Sequence, residues 1–252
     1  MGERVYSMDT FTDVLAALRK TRRPFVNFDD ASPEGILLRL DVDFDLESAA
    51  QIAAVTARAR INATFFVQMA SPLYNPLTSD GRRAVAAILR EGHRIGLHYH
   101  HHGDIFDVRR LEQEYDILRT IAPEASRVVA WHNPGENISE LNRMAKETGF
   151  VSTYADAFSG GNRYISDSNC ERSPKNIIEF VENAKVSVVQ VLFHPILWVV
   201  GGDGMGAVIC SIFKDKLEKL ASAFSVNSVW AAGLGQEVLQ QIHACAWYAQ
   251  KK

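Results

Sequence analysis

The sequence predicts an α/β protein built on a parallel sheet or barrel, and three observations carry that prediction. Short apolar runs alternate with stretches of helical periodicity from about residue 36 to residue 200. The chemistry-bearing residues fall at the ends of the predicted strands, where α/β barrels gather groups from several loops onto one face. No Pro/Gly/Ser-rich linker, charge run or internal repeat interrupts the 252 residues, so a single domain over 1–252 is expected. A hydrophobic content of 47% is enough for a sizeable core.

Taken in order, Phe11, Val14, Leu15 and Leu18 form one apolar stripe, which predicts an amphipathic helix over 8–20 with Thr10 and Asp13 as its capping pair. A loop or edge segment then leads from Pro24 to Gly35. Ile36 to Val42 reads as a buried strand. Leu46, Ala49, Ala50, Ala53, Ala54 and Ala57 return to helical spacing behind Asp45, a good N-cap. A second strand is expected over Asn62–Gln68. Ser79 caps a helix that stops at Gly92. His93–Leu97 is a third strand, with His98 just beyond it. Val108, Leu111, Tyr115, Leu118 and Ile121 mark a helix ended by Pro123. Arg127–Trp131 is a fourth strand, and Asn137 with Glu140 resembles a capping box for a helix ending at Gly149. Ser173-Pro174 opens a helix to about Asn183, and Lys185–Phe193 is the last clear strand. From 206 to 251 helical patterns dominate, read as packing with a contact for a homo-oligomer.

Five of the eight histidines lie in the run Gly92 to His102. Imidazole is the commonest metal-binding side chain, and His98 and His102 are spaced to point the same way across one turn or tight loop. The plainer reading makes them surface or supporting residues. On the strand Ile36–Val42 and the residue after it, alternation puts Arg39, Asp41 and Asp43 on one face. Two carboxylates and a guanidinium there are costly unless paired or bound to a cation. A structural ion cluster would also satisfy them. Together with the histidines they make the makings of a mononuclear hydrolytic site: three protein ligands, an open position and a spare carboxylate as base.

These pieces, Asp41-x-Asp43, then Ala63-Thr64-Phe65-Phe66-Val67, then Gly92-His93-x-Ile95-Gly96-x-His98-x-x-x-His102, resemble the polysaccharide deacetylase family (carbohydrate esterase family 4) in order and spacing. Trp131-His132-Asn133-Pro134 falls where that family has an R-x-P motif. Tyr164–Ser168 and Leu192-Phe193-His194-Pro195 resemble its last two motifs, so the resemblance covers roughly 36–200. It implies a distorted (β/α) barrel, here with extra N- and C-terminal helices. It also implies a metal held by Asp43, His98 and His102, with Asp41 as general base and His194 as proton donor to the leaving nitrogen. Asn133 and Asp167 take substrate-binding positions. The D-x-D spacing departs from the commoner adjacent pair, which leaves open an exchange of roles between Asp41 and Asp43. The third motif has His132 where an arginine usually orients the base. Either Arg39, about 6.5 Å from Asp41 along the strand, does the orienting, or His132 contacts substrate or a carboxylate directly. Charge balance in a barrel interior would also account for Arg39.

The expected function is thus a metal-dependent amide hydrolase removing acetyl or formyl from an amino sugar or sugar conjugate. Cyclic amide or imide hydrolysis and a non-catalytic sugar-binding relative are the alternatives. One divalent cation is expected: zinc, with cobalt and nickel also suiting the ligand set. The partner is a small-molecule or carbohydrate substrate. A net charge of −3 gives no electrostatic reason to expect nucleic acid, and no stretch reaches about 18 consecutive apolar residues, so no membrane span is expected. Cys170, Cys210 and Cys245 form no zinc or disulfide pattern, and Met1–Tyr6 shows no signal-peptide start. Both point to the cytoplasm and to an intracellular substrate such as a nucleotide- or lipid-linked sugar.

Overall fold

Among the described residues, eight strands and nine α-helices follow one another along the chain, and every pairing between these strands is parallel. The computed structural model describes residues 6–30, 34–100, 107–202, 204–238 and 240–241. The strands are β1 (Phe25–Val26), β2 (Gly35–Val42), β3 (Thr64–Val67), β4 (Arg94–Tyr99), β5 (Val128–Trp131), β6 (Val151–Ser152), β7 (Tyr164–Ser166) and β8 (Val188–Phe193). Their order is β6-β5-β4-β3-β2-β8-β7. β1 lies off this path, beside the start of β2, ahead of the point where β3 takes over at Arg39.

The helices are α1 (Met8–Lys20), α2 (Leu46–Arg58), α3 (Ser79–Arg90), α4 (Val108–Arg119), α5 (Ile138–Glu147), α6 (Asp156–Ser159), α7 (Pro174–Asn183), α8 (Pro195–Val200) and α9 (Met205–Phe224). The contacts divide the chain into Met1–Val208 and Ile209–Lys252. The second unit holds the larger part of α9 and a π-type turn over Trp230–Leu234. Among the described residues no helix is long and apolar enough to cross a membrane. Cys170 is buried and Cys210 exposed, and Cys245 lies outside the described residues.

Local signals place most of these elements. Asp45 caps α2 by accepting from the Ser48 N–H, and Ser173 caps α7 in a capping box with Asn176. Phe11, Val14, Leu15 and Leu18 are buried along α1. Four readings are corrected, the first at α3, where Thr78 rather than Ser79 is the N-cap and accepts from the Gly81 N–H. Ser7, not Thr10, is the N-cap of α1, and Thr10 is its partner three residues on. Asn137 makes no side-chain cap on α5, because a 3-10 turn over Gly135–Asn137 leads directly into that helix. β4 runs on to Tyr99, so His98 sits within the strand rather than beyond it.

The sheet curls into an incompletely closed (β/α) barrel. β2 and β5 are three strand steps apart, about 14 Å if the sheet were flat, yet side chains at their ends touch at 3.2 Å. Inside the curl, Leu37, Phe66, Val128, Ala130 and Val188 from four strands pack together with Phe28 and Phe158. Such side chains fill a barrel rather than line a pore. The edge strands β6 and β7 are not paired with each other. Side chains span the gap instead: Gln190 Nε2 on β8 donates to the Thr153 carbonyl at 2.9 Å, and the Tyr154 and Tyr164 rings meet with centroids 6.2 Å apart.

Candidate metal centre and its acid–base groups

Strand alternation sorts the interior of the barrel by height. Leu37, Arg39 and Asp41 share the inward face of β2, with the apolar plug around Leu37 at the bottom and the polar groups above it. Arg39 is fully buried. Its Nε and Nη2 donate to the two Asp41 carboxylate oxygens at 2.8 and 2.6 Å, a bidentate pair. The guanidinium also lies over the Tyr154 ring at 4.7 Å and reaches Gln190 Oε1 at 3.4 Å. Burial opposes the charge on Asp41, but the charge and hydrogen bonds of Arg39, with the His98 and His194 rings, together hold the carboxyl below its usual range. Burial opposes the charge on Arg39 too, and Asp41 together with Tyr154 and Tyr164 more than restores it.

Asp43 follows β2 and meets a different environment. His98 Nε2 lies 2.8 Å from Asp43 Oδ1, His132 Nδ1 lies 3.2 Å from the same oxygen, and the two ring nitrogens are 3.2 Å apart. His98 comes from β4 and His132 from the residue after β5. Burial disfavours an ionised Asp43, yet hydrogen bonds from His132 and His98 keep it well below the ordinary carboxylate range. Gln68, at the end of β3, donates to Asp43 Oδ1 at 3.3 Å. Tyr74 braces this corner, accepting from the Gln68 N–H at 2.8 Å and donating to the Val42 carbonyl at 2.7 Å.

These three donors suit a divalent cation. Tetrahedral zinc with nitrogen and oxygen ligands at about 2.0–2.1 Å has neighbouring ligand atoms about 3.3 Å apart, and the triangle here has sides of 2.8, 3.2 and 3.2 Å. His98 is oriented for it, since Nδ1–H donates to the Ala130 carbonyl at 2.9 Å and Nε2 is left facing Asp43. Asp43, His98 and His132 are the only His/Cys/Asp/Glu group of this kind among the described residues. His102 lies outside them.

His194 approaches from the end of β8. Its Nδ1–H donates to Asp167 Oδ1 at 2.6 Å, which aims Nε2 at Asp43 Oδ2, 3.5 Å away. Burial would lower its pKa, but the Asp167 charge and hydrogen bond, then Asp43 and Asp41, raise it to about 9. Asp167 has no exposed surface. Beyond the ring it accepts the His194 backbone N–H at 3.0 Å and Trp198 Nε1–H at 2.7 Å. Asp167, expected as a substrate contact, is thus sealed with both oxygens engaged by His194 and Trp198. Asn133 is exposed, directly follows His132, and has its amide 3.2 Å from His132 Nε2.

The structure thus brings together Arg39, Asp41, Asp43, His98, His132, Asp167 and His194. Gln68, Tyr74, Tyr154, Gln190 and Trp198 were not anticipated. A polar residue closing the apolar run of β3 was the one available signal, for Gln68.

No protein-family model matches the sequence, and no curated protein matches it. Solved structures do. A peptidoglycan deacetylase from Bacillus subtilis is similar over 82% of this chain and 99% of that one, with 17% identity and a TM-score of 0.47. A family 4 carbohydrate esterase from Bacillus anthracis is similar over 83% and 86%, with 19% identity and a TM-score of 0.42. A family 4 pseudoenzyme from Bacillus anthracis is similar at 14% identity over 74% of this chain, with a TM-score of 0.47. The chain spans 63% of that pseudoenzyme's length, less than two thirds.

Proposed function

We propose that the chain is a metal-dependent hydrolase that cleaves the N-acyl amide of an amino sugar or sugar conjugate, yielding acetate or formate and the free amine. One juxtaposition supports this reading above the others: His194, backed by a buried carboxylate, faces the Asp43–His98–His132 triangle across 3.5 Å. Asp43, His98 and His132 would hold the cation. When bound, the cation supplies Lewis acidity, polarising an acyl carbonyl and acidifying water.

The chain's own residues do the rest. Asp41 takes the proton of the attacking water, with Arg39 fixing both of its oxygens so that the base does not swing towards the cation. The water oxygen joins the acyl carbon, the carbon–nitrogen bond breaks, and His194 Nε2 delivers a proton to the departing nitrogen. Asp167 keeps the proton of His194 on Nδ1 and so fixes which nitrogen faces the reaction. The amino-sugar class rests on the motif resemblance from Asp41 to His194.

The test is acetate and formate release from a panel of N-acyl amino sugars, with cyclic imides as a separate arm. Purified protein should release one acid, lose that activity in chelator and regain it with zinc or cobalt. Full activity in chelator would refute metal dependence. Hydrolysis confined to the imides would move the substrate to that class. Sugar binding without any release would favour a non-catalytic relative.

A further inference from the structure

From Ile209 onwards, α9 belongs to the second unit. Cys210, Phe213, Leu217, Leu220 and Phe224 recur along it at alternating steps of three and four residues. That is the spacing of coiled-coil a and d positions over two heptads, about 21 Å at 1.5 Å per residue. Among the described residues nothing covers the stripe. Phe213 is 65% exposed, Leu220 56% and Phe224 54%, although the Trp230 ring stacks on Phe224 with centroids 5.4 Å apart. Cys210 is exposed too, and Leu217 is half-buried.

The charged side chains keep off this seam. Lys214 lies 4.0 Å from Glu218, and Lys219 lies 2.9 Å from Asp215, one helical turn apart in each case. A lipid surface would suit a broad apolar face opposite a strongly cationic one. Here the stripe has the narrow a/d form, and Asp215 and Glu218 offset most of the charge of Lys214, Lys216 and Lys219.

We infer that this seam pairs with the same seam of a second copy, the two α9 helices lying parallel and in register about a two-fold axis. Such an interface is isologous, each of the five residues meeting its own counterpart at one height. In that register a g position faces the e position five residues on in the other copy. Ile209 then meets Lys214, and Lys216 meets Ala221, so no like charges are brought together. Phe213, Leu220 and Phe224 present on the order of 300 Å² of apolar surface per copy, within the range of a functional patch. Two copies lose about twice that, and Cys210, Leu217 and the flanking aliphatic stems bring the total towards the roughly 1,000 Å² at which specific interfaces begin. The dimer is therefore reversible and dependent on concentration, and it is independent of the proposed metal centre.

Sedimentation of the full chain over a range of concentrations, under reducing conditions, tests it. Wild type should shift from one chain to two as concentration rises, and Cys210→Ser should follow it. The double variant Phe213→Glu with Leu220→Glu should stay a single chain, with its circular dichroism unchanged. Facing a positions in parallel helices are close enough for a disulfide. In oxidised glutathione the two Cys210 thiols should therefore join, reducing the glutathione disulfide to two thiols. Wild type should give a covalent dimer and Cys210→Ser none. A single chain at every concentration would overturn the inference. Dimerisation of the double glutamate variant would overturn it by placing the contact elsewhere, and dimers that do not crosslink through Cys210 would overturn the parallel register. A single-chain wild type that binds phosphatidylserine vesicles, with binding lost in the double variant, would overturn it in favour of a lipid surface.

Discussion

Asp41 and Asp43 are two residues apart and meet opposite surroundings. Asp41 is inside the barrel with both oxygens on a guanidinium, whereas Asp43 is at the strand end among imidazoles. On the proposed reading, this separation gives proton transfer to the first and metal binding to the second. Asp41→Asn should keep its metal and lower kcat by about 10²–10⁴, the usual worth of a positioned base. It should also lower the melting temperature, because Arg39 stays buried with its counter-charge removed. Metal content and kcat measured on one preparation check this; full activity would remove Asp41 from the chemistry. The pairing of Arg39 with Asp41 was legible, because alternation along one strand fixes which side chains share a face. A carboxylate contact for His132 was one of the two readings left open, but the meeting of His98 with His132 was not legible. His132 is 34 residues from His98, and only the curl of the sheet brings the ends of β4 and β5 over Asp43. Spacing within a single motif pointed to His102, which lies outside the described residues.

At the scale of elements, β4 shows how packing shapes the centre. Gly96 faces into the barrel beside Phe66, its neighbour in register on β3. A Cβ at this position would lie 2.6 and 2.8 Å from two Phe66 ring carbons and 3.1 Å from the Val128 carbonyl. Phe66 also carries the lower wall of the Arg39 pocket, with the guanidinium 5.8 Å from its ring centroid. Gly96→Ala should therefore cost about 1–3 kcal/mol, the range for overpacking a filled core, and Phe66→Leu in the same chain should recover part of it. Denaturant midpoints of the single and double variants provide the measurement; an unchanged midpoint in Gly96→Ala would mean that the ring has room to move. The longer strands and helices were visible in the sequence through period and caps. β6 and β7 were not, being two and three residues long, too short for alternation to register. The cap at Asn137 failed because a 3-10 turn already enters α5 there.

Across the whole molecule, parallel strands carry their chemistry at one end of the curl, and the gap between β6 and β7 is spanned by Gln190, Tyr154 and Tyr164 rather than by a ladder. The α/β class followed from alternation alone; the incomplete closure did not, because it depends on side chains from distant strands. The central claim is that the end of this curl holds one divalent cation on Asp43, His98 and His132. The most direct test is zinc stoichiometry and affinity for wild type and His132→Gln. Wild type should bind one zinc per chain. His132→Gln should lose affinity by more than the 10–100-fold that an orienting partner is worth, with its circular dichroism unchanged. One zinc bound at wild-type affinity by His132→Gln would contradict the claim.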